Sequence, residues 1–469
     1  MTNDHKMKLD FLHKNEKKSS KGKRLHLPFL VALPVVVILL AVPMGLRLVQ
    51  GNAELDRAYR YRFEKSSSGS ITRDLNKEIE FYQKRISQNP EDGLDRASLA
   101  KVYLKMARAT GDANWYLLAE QNAMRSLSHL PFSNSSALLA LARVTEAKHD
   151  FTEAIKLAQQ VLKEQPGNEE ALSILVTANL ATGKVDESSR AADTLVNQIP
   201  SIGSLTLRAL VNQAKGKDEA AIQDFQQAIA AEEPGEAGSS AWARTMLGRF
   251  YFKRGNHQLA SQLYREALRI LPRYPLALVN LAELETRLGH YKAALDYYSQ
   301  VFVSPAYPNV FDHVALHGLA RVKALQGDKS GAKEEWHKAE TLLRQHLDVN
   351  SFGHRRELAR LLLESDRSQD TAEALTLMQA EVKLRRDPET LDTLAWALTC
   401  SGRWQEAKTT MREALRWGIR DAGMFYRAGT IEQKLGNQSQ AVAYFQLAQK
   451  TDPTFNKQAQ QMLELVIGN

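Results

Sequence analysis

Residues 244–272 read RTMLGRFYFKRGNHQLASQLYREALRILP, and their spacing describes two short antiparallel helices. Leu247, Gly248 and Tyr251 share one face of a first helix, because positions three and four apart align at 3.6 residues per turn. Gly255 predicts the end of that helix: the residue past a helix C-terminus often takes a positive φ, which glycine adopts without a Cβ penalty. Ala260, Tyr264 and Ala267 fall on one face of a second helix, which Pro272 closes because proline cannot donate into a continuing helix. Gly248 and Ala260 are small where the two helices have to approach closely.

The pattern recurs along the chain. Leu281-Ala282, Gly289, Ala294 and Tyr298 repeat it, as do Leu319-Ala320, Gly327, Ala332 and Trp336. Leu394-Ala395, Gly402, Ala407 and Met411 are followed 34 residues later by Ala428-Gly429, Gly436, Ala441 and Phe445. Upstream, Leu141-Ala142, Ala154 and Ala158 precede Leu175, Gly183 and Ala192, then Ala209, Gly216, Ala221 and Phe225. Self-similarity at a fixed period is the mark of a solenoid. These residues resemble the tetratricopeptide repeat. The resemblance implies an all-α fold, a right-handed superhelical solenoid of about ten helix-turn-helix units.

Composition narrows the function classes. The single cysteine, Cys400, excludes an internal disulfide framework and a four-cysteine zinc site, and reads as a small buried apolar residue. The net charge of +8 is concentrated at the start, where residues 1–24 hold eight Lys or Arg against Asp4, Asp10 and Glu16. The repeats are therefore only weakly basic, and no nucleic-acid partner is expected.

Residues 1–24 read as a basic cytoplasmic tail. Leu27–Leu46, LPFLVALPVVVILLAVPMGL, is uncharged and long enough to cross a hydrocarbon core of about 30 Å, so residues 25–47 are expected to form a transmembrane helix, a signal anchor. The excess of Lys and Arg before it places the N-terminus inside and the array outside, periplasmic in a bacterium. Residues 48–73 read as a polar juxtamembrane linker, a flexible tether. An N-terminal repeat block spans 74–235 and a C-terminal block 236–455, with the glycine-rich 234–240, PGEAGSS, as the joint. Residues 456–469 read as a capping helix. The copy at Leu99-Ala100 has seven extra residues before Ala119, about two helical turns, which predicts a longer first hairpin.

No catalytic constellation survives the periodicity. The chain has no GxxxxGK[ST] loop, no GxSxG elbow and no HExxH pair, so no enzyme activity, cofactor or metal is expected. The functional surface implied by the resemblance is the concave groove, lined by the first helix of each repeat. Carried over by register, its residues are Lys101, Arg143, Arg249, Asn280, His317, Arg321, Arg356 and Arg360, with Trp242, Trp396 and Tyr426 as aromatic anchors. Recurrent arginines favour an acidic or carboxylate-terminated segment through charge-assisted hydrogen bonds. Asn280 and Arg321 resemble part of the family's carboxylate clamp. Thr245, Arg249 and His317 stand where that clamp has Lys, Asn and Lys, so chaperone-tail recognition is not expected.

The function expected is a membrane-anchored scaffold for protein–protein interaction in a cell-envelope complex. The rivals are an enzyme or its regulatory subunit, with a site on the array, and a receptor for glycan or lipid along an aromatic strip.

Overall fold

The structure, a computed structural model, describes residues 55–64, 70–302, 309–345, 354–364 and 368–455. Helix α1 (Ser70–Gln88) leads ten helical hairpins. The first five are α2 (Gly93–Thr110) with α3 (Asn114–His129), α4 (Ser135–Ala147) with α5 (Phe151–Glu164), α6 (Glu169–Ala181) with α7 (Val185–Gln198), α8 (Ile202–Ala214) with α9 (Asp218–Ala230), and α10 (Ala237–Phe252) with α11 (His257–Ile270). The others are α12 (Pro275–Arg287) with α13 (Tyr291–Ser299), α14 (Asp312–Leu325) with α15 (Lys329–Gln345), α16 (Arg355–Leu363) with α17 (Ser368–Glu381), α18 (Pro388–Cys400) with α19 (Trp404–Leu415), and α20 (Ala422–Lys434) with α21 (Gln438–Thr451). The all-helical solenoid of about ten units is present.

Local chemistry sets the helix ends. Asp92, Asn134, Asp150, Asn168, Ser201, Asn256, Asp387 and Asp421 each accept a hydrogen bond from the backbone N–H three residues on, satisfying a donor the helix leaves free. Gly255 has φ +72°, the left-handed conformation its position requires. Gly248 is small for a different reason than backbone approach: a Cβ there would lie 2.6 Å from the ring of the fully buried Tyr264. The first hairpin is longer, as its spacing predicts, with 18 and 16 residues in α2 and α3 against 13 and 14 in α4 and α5.

The hairpins wind into a coil that closes on itself. The turn after α2 meets the segment before α14, where the Asn309 side chain donates to Thr110 O at 2.8 Å across 199 residues and Val310 N–H donates to Gly111 O at 2.8 Å. The turn after α4 meets the start of α16, with the His149 and His354 rings edge to face at 6.3 Å. The turn after α6 meets the segment before α18: Arg386 N–H donates to Ala181 O at 2.8 Å, and Arg416 donates to Gly183 O at 3.1 Å. Gly216, after α8, packs on Gly418, before α20. After α10, Arg254 donates to Arg420 O at 2.8 Å, and Arg287, at the end of α12, pairs with Asp452 at 3.2 Å. From α2 to α8 each step advances one hairpin on both sides, so successive superhelical turns stack in register along a seam.

Part of the stretch expected as a flexible tether is docked. Residues 55–64 cross α9, α10 and α11 as a strap. Tyr59 packs among Phe225, Leu247, Phe250 and Leu263, and Tyr61 among Ala241, Ala267 and Ile270. Arg244 donates to Tyr59 O at 2.7 Å while its guanidinium pairs with Glu232 at 2.8 Å, both side chains wholly buried. Tyr61 N–H donates to Glu266 Oε1 at 2.8 Å. The glycine-rich stretch contributes to α10, which begins at Ala237, and the described residues form one compact unit.

The membrane placement needs correction. Among the described residues no helix is long and apolar enough to cross a membrane, so the expected single-pass, extracytoplasmic arrangement is not supported. The expected anchor at 25–47, the basic tail at 1–24 and the capping helix at 456–469 lie outside the described residues. Cys400, expected to be buried, is exposed at the end of α18.

Candidate functional site: the inner face of the coil

Within the coil lies a cavity of about 550 Å³, bounded on one side by the seam residues His149 and His354. Six of the residues carried over by register converge on it: Arg249 from α10, Asn280 from α12, His317 and Arg321 from α14, and Arg356 and Arg360 from α16. They meet because each sits on the first helix of its hairpin, off the face that packs against the second, and the coil brings four such helices around one space. A second space of about 180 Å³ shares Arg249, Glu283, Arg321 and Arg360 with the first.

Some of these charges are neutralised in place. His317 Nε2 lies 2.9 Å from Glu364 Oε2, and Arg321 Nε lies 3.8 Å from the same oxygen. Burial alone would raise the Glu364 carboxyl, but His317 and Arg321 outweigh it and hold the group below its ordinary value. Arg356 pairs with Glu357 at 2.7 Å and with Asp387 at 3.5 Å. Arg249 donates to Asn280 Oδ1 at 3.2 Å, a neutral partner. Among the described residues neither Arg249 nor Arg360 has a carboxylate within 4 Å. Burial and then the neighbouring Arg356 lower the pKa of Arg360.

Histidines outside the register-derived set also line the space. Burial holds His313 down to about 3 and His149 down to about 4, with His354 and Arg385 respectively adding to the effect. The His313 and His354 rings are 4.3 Å apart. The sequence carries no signal for this group, since its members come from hairpins brought together by coiling. Among the described residues no group of His, Cys, Asp and Glu could hold a metal ion.

The remaining carried-over residues lie elsewhere. Lys101 pairs with Glu170 at 3.5 Å, and Arg143 with Glu146 at 2.9 Å and with Ser173. Trp242 packs on the Leu172, Val176 and Leu207 cluster, with Arg108 over its ring at 5.3 Å. Trp396 packs on the Leu358–Leu363 cluster, beneath Arg427 at 4.9 Å. Tyr426 lies against Phe445 and Phe455, at 5.5 and 5.7 Å. The three aromatics thus belong to three separate packing clusters.

Family models described as tetratricopeptide repeat match residues 146–209, 202–273, 245–309 and 422–455. The chain is similar to cellulose synthase operon protein C of Pseudomonas fluorescens, 28% identical over 167 residues. That match spans 34% of this chain and only 13% of that protein. Among solved structures, a tetratricopeptide repeat protein from Parabacteroides merdae is 18% identical, with 52% of this chain and 92% of that one covered and a TM-score of 0.36. Human IFIT1 is 15% identical, covering 81% of this chain and 86% of its own, with a TM-score of 0.41. The repeating hairpins, their capped helices and the matching models together make this chain a carrier of tetratricopeptide repeats, wound as an all-helical solenoid.

Proposed function

We propose that the coil is a protein-interaction scaffold whose inner face receives an acidic polypeptide segment. The observation that carries this reading is the convergence of Arg249, Asn280, His317, Arg321, Arg356 and Arg360 on one cavity. Arginine forks give charge-assisted, bidentate hydrogen bonds to carboxylates, and a water-poor space strengthens them. Tetratricopeptide repeats in general serve protein–protein interaction, and the partial similarity to cellulose synthase operon protein C supports a place in a cell-envelope assembly. The test puts a photo-crosslinking residue at Leu276, which lines the cavity. Crosslinks to acidic segments of a defined partner, lost in an Arg249→Glu/Arg321→Glu variant, are the expected result. Crosslinks that persist in that variant refute the inner-face reading.

A further inference from the structure

The larger cavity is lined by five arginines, Arg249, Arg321, Arg356, Arg360 and Arg385, against two carboxylates, Glu283 and Glu357, with no lysine. The side chains of Arg356 and Arg385 are committed to acids: Arg356 to Glu357 and Asp387, and Arg385 to Asp387. Arg321 leans on Glu364. Arg249 and Arg360 are different, because among the described residues neither has a carboxylate within 4 Å and both line the larger and the smaller space. Arg249 donates to Asn280, and Arg360 meets Glu364 and Asp392 only beyond ion-pair distance. The smaller space adds Lys253 and the carboxylates Glu389, Asp392, Asp421 and Asp452, so the excess of positive charge belongs to the larger one.

Both side chains are half-buried, and a half-buried cation without an ion-pair partner is costly, a cost that a ligand of opposite charge relieves. The use of arginine rather than lysine in the larger cavity suits a planar, multi-oxygen acceptor. A single carboxylate offers one negative charge and two oxygens. A phosphoryl group brings about −1.5 to −2 and three strong acceptor oxygens. Burial is the main reason His149 and His313 stay neutral at the cavity wall, with Arg385 and His354 respectively adding to it and Glu357 opposing it.

We infer that Arg249 and Arg360 form a binding site for a phosphoryl group in the larger cavity. The inference rests on the inner-face reading and narrows its ligand from acidic to phosphorylated. One chemistry has two sources, a phosphorylated residue within a bound segment or a free phosphorylated small molecule, and a cavity of about 550 Å³ holds either.

The experiment titrates the whole 469-residue chain by calorimetry and thermal denaturation with three probes. These are an acidic peptide carrying one phosphoserine, the same peptide with glutamate in its place, and inorganic pyrophosphate. Arg360→Gln and Arg249→Gln are the test variants, and Arg403→Gln is the control, since Arg403 pairs with Glu406 on the surface. The expected result is about tenfold tighter binding of the phosphopeptide than of the glutamate peptide, with that preference lost in both test variants and kept in the control. Among the described residues Arg360 has no carboxylate within 4 Å, so Arg360→Gln is expected to keep its stability, and thermal denaturation of the unliganded variant separates a loss of binding from a loss of fold. Pyrophosphate binding that depends on Arg360, with neither peptide bound, supports the phosphoryl site with a free ligand as its source and removes the segment reading. Equal binding of both peptides overturns the phosphoryl site while leaving the acidic-segment reading in place. No response to any probe overturns both.

Discussion

Replacing Gly216 by alanine tests the seam directly. Gly216 and Gly436 occupy equivalent places between the helices of their hairpins, with φ +66° and +80°. An alanine at either place incurs the left-handed penalty, about 1 kcal/mol. The surroundings differ. A Cβ at Gly436 meets nothing within 4 Å, whereas at Gly216 it would lie 2.0 Å from Gly418 O. An ordinary C···O contact is about 3.3 Å, so the two backbones must separate by more than about 1 Å. Gly418 lies between Arg416, which donates to Gly183 O, and Arg420, whose carbonyl accepts from Arg254, so that displacement strains both bonds. Hydrogen bonds from a charged donor contribute about 1.5 kcal/mol or more each, which puts the extra cost of Gly216→Ala at about 3 kcal/mol. Urea unfolding of both variants measures the difference. Native-state hydrogen exchange at the Arg386 amide, which donates to Ala181 O, reports whether the neighbouring seam step loosens. Equal stability of the two variants, with Arg386 protection unchanged, would refute a coil closed by that contact.

The arginines of the cavity should separate by their partners. Arg356→Gln removes an ion-pair partner of the half-buried Glu357, which keeps Arg385 nearby, and is expected to destabilise by about 2 kcal/mol in thermal or urea unfolding, while Arg360→Gln leaves stability unchanged or raises it. Glu232→Gln leaves Arg244 buried and uncompensated beneath the strap. We expect a loss of about 3 kcal/mol and faster proteolytic cleavage within residues 55–64, read by mass spectrometry. Acid should weaken the fold through the cavity histidines. With His149 held down to about 4 and His313 to about 3, their contribution is complete above pH 6.5 and declines as pH falls through those values, which NMR titration can follow. Asp312 has the opposite sign: burial raises it to about 6, so its contribution is complete at low pH and is lost as pH rises through 6, a slope that Asp312→Asn should remove.

The repeat period made the hairpins legible. Positions such as Gly248, Tyr264 and Gly255 are fixed by contacts within one unit or by the backbone conformation at its turn, and such local requirements leave a residue-level mark every 34 positions or so. The inner-face positions on α10, α12, α14 and α16 were legible too, because helix geometry dictates which face a residue leaves unpacked. What those positions do was not. Lys101 and Arg143 stand at comparable places yet are neutralised by Glu170 and Glu146, and the aromatic rings of Trp242, Trp396 and Tyr426 are spent on packing. Pairing depends on the side chain one helix away, which register does not specify.

The sequence by itself determined the hairpin, its caps and its repetition, since each arises from interactions a few residues apart. Only the tertiary structure decided how far the hairpins rotate against one another. That rotation is small per unit and accumulates over about 200 residues until Thr110 meets Asn309 and Gly216 meets Gly418. The same accumulation gathers Arg249, Arg321 and Arg360 around one space and, among the described residues, leaves two of the three without a carboxylate within 4 Å.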